Sequence, residues 1–123
     1  MSDLAVGTRL DVALRPANTN NATLLTAETV TEVTRIFVCN TTANTPTFRL
    51  FHTRGAEVAD QTTALFYDTP TVANETREIT ADAIGGGIHM DVGDKLIVRS
   101  SAANELTFTV YGATERIAER TRT

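Results

Sequence analysis

The chain has 123 residues, a net charge of −4 and a hydrophobic content of 41%. This size fits one domain with its own core, and the hydrophobic content excludes a disordered chain. The acidic balance argues against general nucleic-acid binding, and no apolar run reaches the roughly 18 residues of a membrane-spanning helix. Threonine, which favours strands because its β-carbon is branched, makes up about a fifth of the residues.

Two strands are predicted in the first part of the chain. Residues 1–7 form a short arm that lacks the basic and apolar regions of a signal peptide. In Thr8–Leu14, alternation places Leu10, Val12 and Leu14 on one face and Arg9, Asp11 and Ala13 on the other. A second, short strand follows at Thr23–Thr26, after a polar turn.

The next two strands are predicted to form a hairpin. Val33–Cys39 is apolar on both faces in its second half, which indicates a central strand with both sides covered. Cys39, the single cysteine, is expected to be a small buried residue because nothing near it in sequence would activate a thiol. Turn-forming residues 40–46 then lead into Thr47–His52, and the short connection suggests direct pairing.

The middle of the chain is more polar. Thr53–Thr63 is predicted to be an open loop or a short helix. Ala64–Asp68 is a strand that should stop before Pro70. Glu75–Thr80 is a charged and weaker strand, which we place at a sheet edge, where charge discourages pairing with other chains.

The last two strands have the clearest alternation. Lys95–Arg99 and Leu106–Gly112 flank a turn at residues 100–104 and are predicted to pair as a hairpin. Leu106, Phe108 and Val110 share one face of the final strand and are predicted to lie in the main core.

These elements together predict an all-β, single-domain β-sandwich, jelly-roll-like, with about eight or nine short antiparallel strands over residues 8–113. Residues 114–123 form a charged C-terminal tail. Arg116, Arg120 and Arg122 in this tail are the predicted partner-contact residues, because guanidinium groups make paired hydrogen bonds to carboxylates on a neighbouring protein.

No catalytic or cofactor-binding pattern is present. His52 is expected to be a core or rim residue, and His89, near Asp91 and Asp94, does not have a recognised metal-ligand spacing. Gly85–Gly87 lacks the lysine and the helix of a phosphate-binding loop, so it is interpreted as a chain reversal or a close backbone approach. The sequence therefore predicts a non-enzymatic protein with no metal and no cofactor.

The order of several β motifs resembles that of small virion proteins of tailed bacteriophages. The segments concerned are Val33–Thr41, Thr47–Leu50, Ala64–Asp68, Gly93–Val98 and Leu106–Gly112. Each is a generic strand motif, so the resemblance depends on their order. It implies a β-sandwich virion protein, located in particles that assemble in the host cytoplasm.

Among virion proteins, we favour a capsid cement or decoration protein that binds the outer face of the major capsid protein lattice as a homo-oligomer, preferably a trimer. The first alternative is a tail, baseplate or fibre component. A second is a carbohydrate-binding adhesin, although tryptophan is absent and the five phenylalanines are expected in the core. A small hydrolase with a spread carboxylate pair is a third.

Overall fold

A computed structural model describes residues 8–115 of the chain. These residues form nine strands and one short 3₁₀ turn, η1, and include no helix long and apolar enough to cross a bilayer. The strands are β1 (Thr8–Leu14), β2 (Ala22–Thr26), β3 (Thr31–Asn40), β4 (Thr47–Thr53), β5 (Ala64–Pro70), β6 (Thr76–Thr80), β7 (Ile88–Met90), β8 (Lys95–Ser100) and β9 (Leu106–Thr114), with η1 (Asp82–Ile84) between β6 and β7.

The strands form two antiparallel sheets. One has the order β1-β9-β3-β6, with β7 also paired to β3, and the other has the order β2-β8-β4-β5. Without β7, the pairs β1–β9, β2–β8, β3–β6 and β4–β5 are nested like the two arms of one long hairpin rolled up on itself. This is the arrangement of a jelly roll, as the sequence predicted.

Side chains from both sheets fill the core between them, as the alternation of β1 and β9 predicts. Leu106, Phe108 and Val110 are at most 1% exposed, which confirms their predicted position. The Phe108 and Phe48 rings meet edge to face across the sandwich, with centroids 6.0 Å apart. The core cluster contains Leu10, Leu24, Ala27, Val33, Ile36, Val38, Phe48, Leu50, Ile79, Ile88, Met90, Leu96, Val98, Leu106, Phe108 and Val110.

Both predicted hairpins are wrong. β3 and β4 lie in different sheets, and so do β8 and β9. The connection from β3 to β4 crosses from one sheet to the other, and the buried Asn40 side chain shapes it. The Nδ2 of Asn40 donates to the carbonyl of Asn44 (2.7 Å), and its Oδ1 accepts from the backbone N–H of Thr42 (3.0 Å). At the second crossing, the Oγ of Ser100 donates to the carbonyl of Ala102 (2.7 Å). Strands that are neighbours in sequence therefore face each other across the core.

β3 is central in its sheet, as predicted, but only one of its faces is covered. Phe37 and Cys39 point away from the core and are half-buried, so the expectation of a fully buried cysteine is wrong. Cys39 lies between Thr76 on β6 and Thr107 on β9. Phe37 also departs from the expected core position of the phenylalanines and contacts Tyr111 on the outer face.

The remaining strands follow the prediction with small shifts, except for β7, a strand that the sequence did not predict. β6 is an edge strand, as expected, whereas β5 continues to Pro70 instead of stopping before it. Pro70 is tolerated because β5 is also an edge strand, where a backbone donor can be absent. The segment between β4 and β5 is an open loop. β9 extends to Thr114, two residues beyond the end of the sequence alternation.

Two glycines allow close backbone contacts beside β3. β6 and β7 both run antiparallel to β3 and lie end to end along it, and Gly85–Gly87 connects them with positive φ angles. The chain therefore does not reverse at these glycines, and the predicted close backbone approach is the interpretation that holds. A β-carbon at Gly87 would stand 3.0 Å from the carbonyl oxygen of Val33. At Gly112 on β9 it would stand only 2.0 Å from the carbonyl oxygen of Glu32.

Candidate functional site

The predicted contact residues Arg116, Arg120 and Arg122 lie outside the described residues, as does the arm of residues 1–7. The place where both segments join the sandwich is well defined. Thr8 on β1 pairs directly with Thr114 on β9. The backbone N–H of Glu115 then donates to the carbonyl of Val30 (2.8 Å). The two ends of the described part of the chain, Thr8 and Glu115, therefore lie at one corner of the five-stranded sheet, which we call the terminal corner.

The two histidines, His52 and His89, line one cavity of about 450 Å³ at an open end of the sandwich. His52 is buried, as expected for a core or rim residue, and its Nε2 is 3.1 Å from Oδ2 of Asp94. The same Oδ2 accepts a hydrogen bond from the backbone N–H of Asp91 (3.1 Å). Asp94 therefore joins the β7–β8 turn to β4.

His89 stands at the exposed rim of this cavity. Its Nδ1 hydrogen-bonds to Glu32 on β3, and its Nε2 is 3.2 Å from Oδ1 of Asp91. The hydrogen bond to Glu32, followed by the one to Asp91, raises the pKa of His89 because both favour the imidazolium form. The sequence placed His89 near Asp91 correctly but could not reveal Glu32, which reaches it through the β3–β7 pairing.

The histidine cavity has few groups for catalysis. Apart from the two histidines, its lining consists of Arg54, Leu65, Phe66, Ala83, Ile84, Gly87 and Ile88, which offer no side-chain hydroxyl, thiol or carboxylate as a nucleophile. Across residues 8–115, no group of three or more His, Cys, Asp or Glu side chains is placed to hold a metal ion.

A second surface lies on the outer face of the four-stranded sheet. Arg49 on β4 stands directly opposite Arg99 on β8. Two like charges facing each other across neighbouring strands are unfavourable unless other groups balance them. The cavities beside this pair measure about 410 and 220 Å³ and share both arginines, so they form one surface, which we call the arginine groove.

Asp68 balances the charge of Arg49. Its two carboxylate oxygens accept hydrogen bonds from Nε (2.7 Å) and Nη2 (3.2 Å) of Arg49. This pairing raises the pKa of Arg49 and lowers the pKa of Asp68. The guanidinium group of Arg49 also lies over the Tyr67 ring, with Cζ 4.0 Å from the centroid. Arg49 is therefore held on two sides.

Arg99 is held at one point only. Its Nε donates to the carbonyl of Thr19 (2.8 Å), and this is the one hydrogen bond that its side chain makes within residues 8–115. The two terminal nitrogens of Arg99 therefore remain available to a ligand. A planar guanidinium end of this kind suits a carboxylate, which it can bind through two parallel hydrogen bonds.

The walls of the arginine groove are polar. Asn21 precedes β2 on one side, and the β4–β5 loop contributes Asp60, Gln61 and Thr62 on the other. Asp60 is held as a carboxylate, because hydrogen bonds from the hydroxyl and the backbone N–H of Thr62 lower its pKa. Under this loop lies Phe51, which is buried outside the main core cluster.

Sequence reasoning missed the arginine groove. Arg49 and Arg99 each occupy an outward position in an alternating strand, and such positions are usually interpreted as solvated. The available signal was an arginine directly after an apolar residue in both strands, Phe48-Arg49 and Val98-Arg99. The β4–β8 pairing that brings the two together joins segments about 50 residues apart in the chain, and alternation does not identify partners.

Comparison with known proteins gives no relative. No protein-family description, no curated protein sequence and no solved structure matches this chain.

Proposed function

We propose that the protein is a structural component of a tailed bacteriophage particle. Our preferred role is a capsid cement or decoration protein, a homo-oligomer that binds the outer face of the major capsid protein lattice. The virion resemblance of the strand order supports this role, and jelly rolls are common among viral capsid domains. Since a fold does not by itself define a function, the proposal depends on a feature of the surface.

That feature is the terminal corner. Because Thr8 pairs with Thr114, residues 1–7 and 116–123 join the sandwich at neighbouring points, and we propose that they bind the same neighbour. Two linked segments that bind one neighbour act at a high effective concentration, which strengthens attachment beyond either contact alone. The arginines Arg116, Arg120 and Arg122 would supply paired hydrogen bonds to carboxylates of that neighbour.

A truncation tests this role. The variant ends after Glu115, which keeps β9 and the hydrogen bond to Val30 intact. We expect it to fold with an unchanged melting temperature, and to bind capsids that lack the protein at least ten times more weakly in co-sedimentation. A second variant replaces Arg116, Arg120 and Arg122 with Gln. Arg54→Gln, an exposed arginine of the β4–β5 loop, is the matched control.

Analytical ultracentrifugation of the same variants measures the oligomeric state. Unchanged capsid binding and unchanged assembly in both tail variants would contradict the role of the terminal corner. Binding to purified tails, with none to capsids, would replace the cement role with a tail, baseplate or fibre role.

A further inference from the structure

We propose that the arginine groove binds a saccharide that carries a carboxylate group. The inference is independent of the virion role, because it depends on the outer face of the four-stranded sheet and not on the terminal corner. Its central observation is Arg99, which lines both cavities of the groove and whose terminal nitrogens make no hydrogen bond within residues 8–115.

The hydrogen bonding of Arg99 indicates a single anionic group on the ligand. Of the two opposed arginines, Arg49 already has a hydrogen-bonded carboxylate partner in Asp68, whereas Arg99 donates to a neutral carbonyl 2.8 Å away. A ligand carboxylate at Arg99 would supply the hydrogen-bonded partner that neither Asp60 nor Asp68 provides there. Paired, charge-assisted hydrogen bonds of this type are among the strongest that a protein surface offers.

The other polar groups indicate a ligand with many hydroxyls. The amides of Asn21 and Gln61 can both donate and accept hydrogen bonds, and the carboxylates of Asp60 and Asp68 accept them from hydroxyl groups. These two carboxylates would repel a ligand with many phosphates, such as a nucleic acid. A polyol with one carboxylate suits both the arginine and the acids.

The groove also has the size and the apolar contact that a sugar ring requires. The larger cavity, about 410 Å³, lies within the range of about 300 to 1,000 Å³ that is common for small-ligand sites. Tyr67 is 39% exposed, and Phe51 and Arg49 contact its ring. The exposed part of this ring offers an apolar contact to the C–H groups of a sugar.

An acidic side chain of a partner protein is the competing occupant. It would bind Arg99 but would make no contact with the amides of Asn21 and Gln61 or with the Tyr67 ring. The saccharide uses all of these groups, so the observations favour it.

Calorimetric titration of the full-length protein with three probes tests the proposal. The probes are the methyl glycoside of glucuronic acid, methyl glucoside as its neutral counterpart, and acetate as the carboxylate alone. We expect the glucuronoside to bind at least ten times more tightly than either of the others. Arg99→Gln should weaken this binding at least tenfold, and Arg99→Lys should weaken it measurably because the paired geometry is lost.

The control is Arg9→Gln, which removes an exposed arginine from the other sheet and should leave binding unchanged. Asn21→Ala tests the groove without altering charge, and should also weaken binding. Melting temperatures confirm that each variant is folded. Acetate binding as tightly as the glucuronoside would overturn the saccharide assignment. Lack of glucuronoside binding by the wild type, or equally tight binding by Arg99→Gln, would overturn the proposal. Protection of the groove from hydrogen exchange by bound capsid protein would also overturn it.

Discussion

The orientation of β9 can be tested with two phenylalanines on neighbouring strands. Phe108 on β9 points into the core and is 1% exposed, whereas Phe37 on β3 points outward and is half-buried. Truncation of a buried phenylalanine to alanine removes its transfer free energy and leaves a cavity, so Phe108→Ala should lower the unfolding free energy by about 3 to 5 kcal/mol. Phe37→Ala removes a less deeply buried ring and its edge contact with Tyr111 but opens no cavity in the core, so it should cost only about 1 to 2 kcal/mol.

Urea unfolding followed by circular dichroism measures both costs. With a slope of about 2 kcal/mol per molar urea, Phe108→Ala should lower the midpoint by about 2 M and Phe37→Ala by less than about 1 M. The total stability of a domain is about 5 to 15 kcal/mol, so the first loss is large yet leaves a folded protein in most of that range. A cost below about 1 kcal/mol for Phe108→Ala, or equal costs for both variants, would refute the orientation of the strand.

Three further outcomes are expected. Because the pKa of His89 is raised in the folded protein, the contribution of His89 to stability is complete below the unfolded pKa of about 6.5 and is lost as pH rises. Between pH 6 and 8 the melting temperature of His89→Gln should therefore fall less than that of the wild type. Equal falls in the two proteins would contradict this expectation. Gly112→Ala should cost about 2 to 3 kcal/mol in urea unfolding, because the added carbon meets the Glu32 carbonyl, and a neutral effect would disprove the close approach. Asp94→Ala should lower the unfolding free energy by about 1 to 3 kcal/mol, because it leaves His52 buried without its partner. A smaller loss of stability than in Asp91→Ala would argue against the role of Asp94 as the partner of His52.

The sequence predicted the strands better than their partners. Alternation identifies which residues face the core, so Leu106 and Phe108 were placed correctly. It contains no information on which strand lies alongside, and short connections favour the hairpin interpretation. In this fold, the short connections after Asn40 and after Ser100 cross from one sheet to the other, because each leads into a strand whose apolar face must oppose the previous one.

The candidate sites show the same limit. The His89–Asp91 proximity follows from the sequence because the two residues are two positions apart. The arginine groove depends on β4–β8 pairing and on a loop that folds over Phe51, and neither is encoded in local spacing. Cys39 was misplaced for a related reason: an apolar strand suggests burial on both faces, but the structure covers only one face of β3.

The nesting of the strand pairs has a consequence for the synthesis of the protein. β4 and β5 can pair soon after they emerge from the ribosome, whereas β3–β6, β2–β8 and β1–β9 require progressively longer stretches of chain. β1 is synthesised before the other strands and can pair with β9 only after about 90 further residues have been made. The terminal corner is therefore the last part of the sandwich to be completed, and chains made only as far as β8 lack the paired strands β1 and β9 that form it.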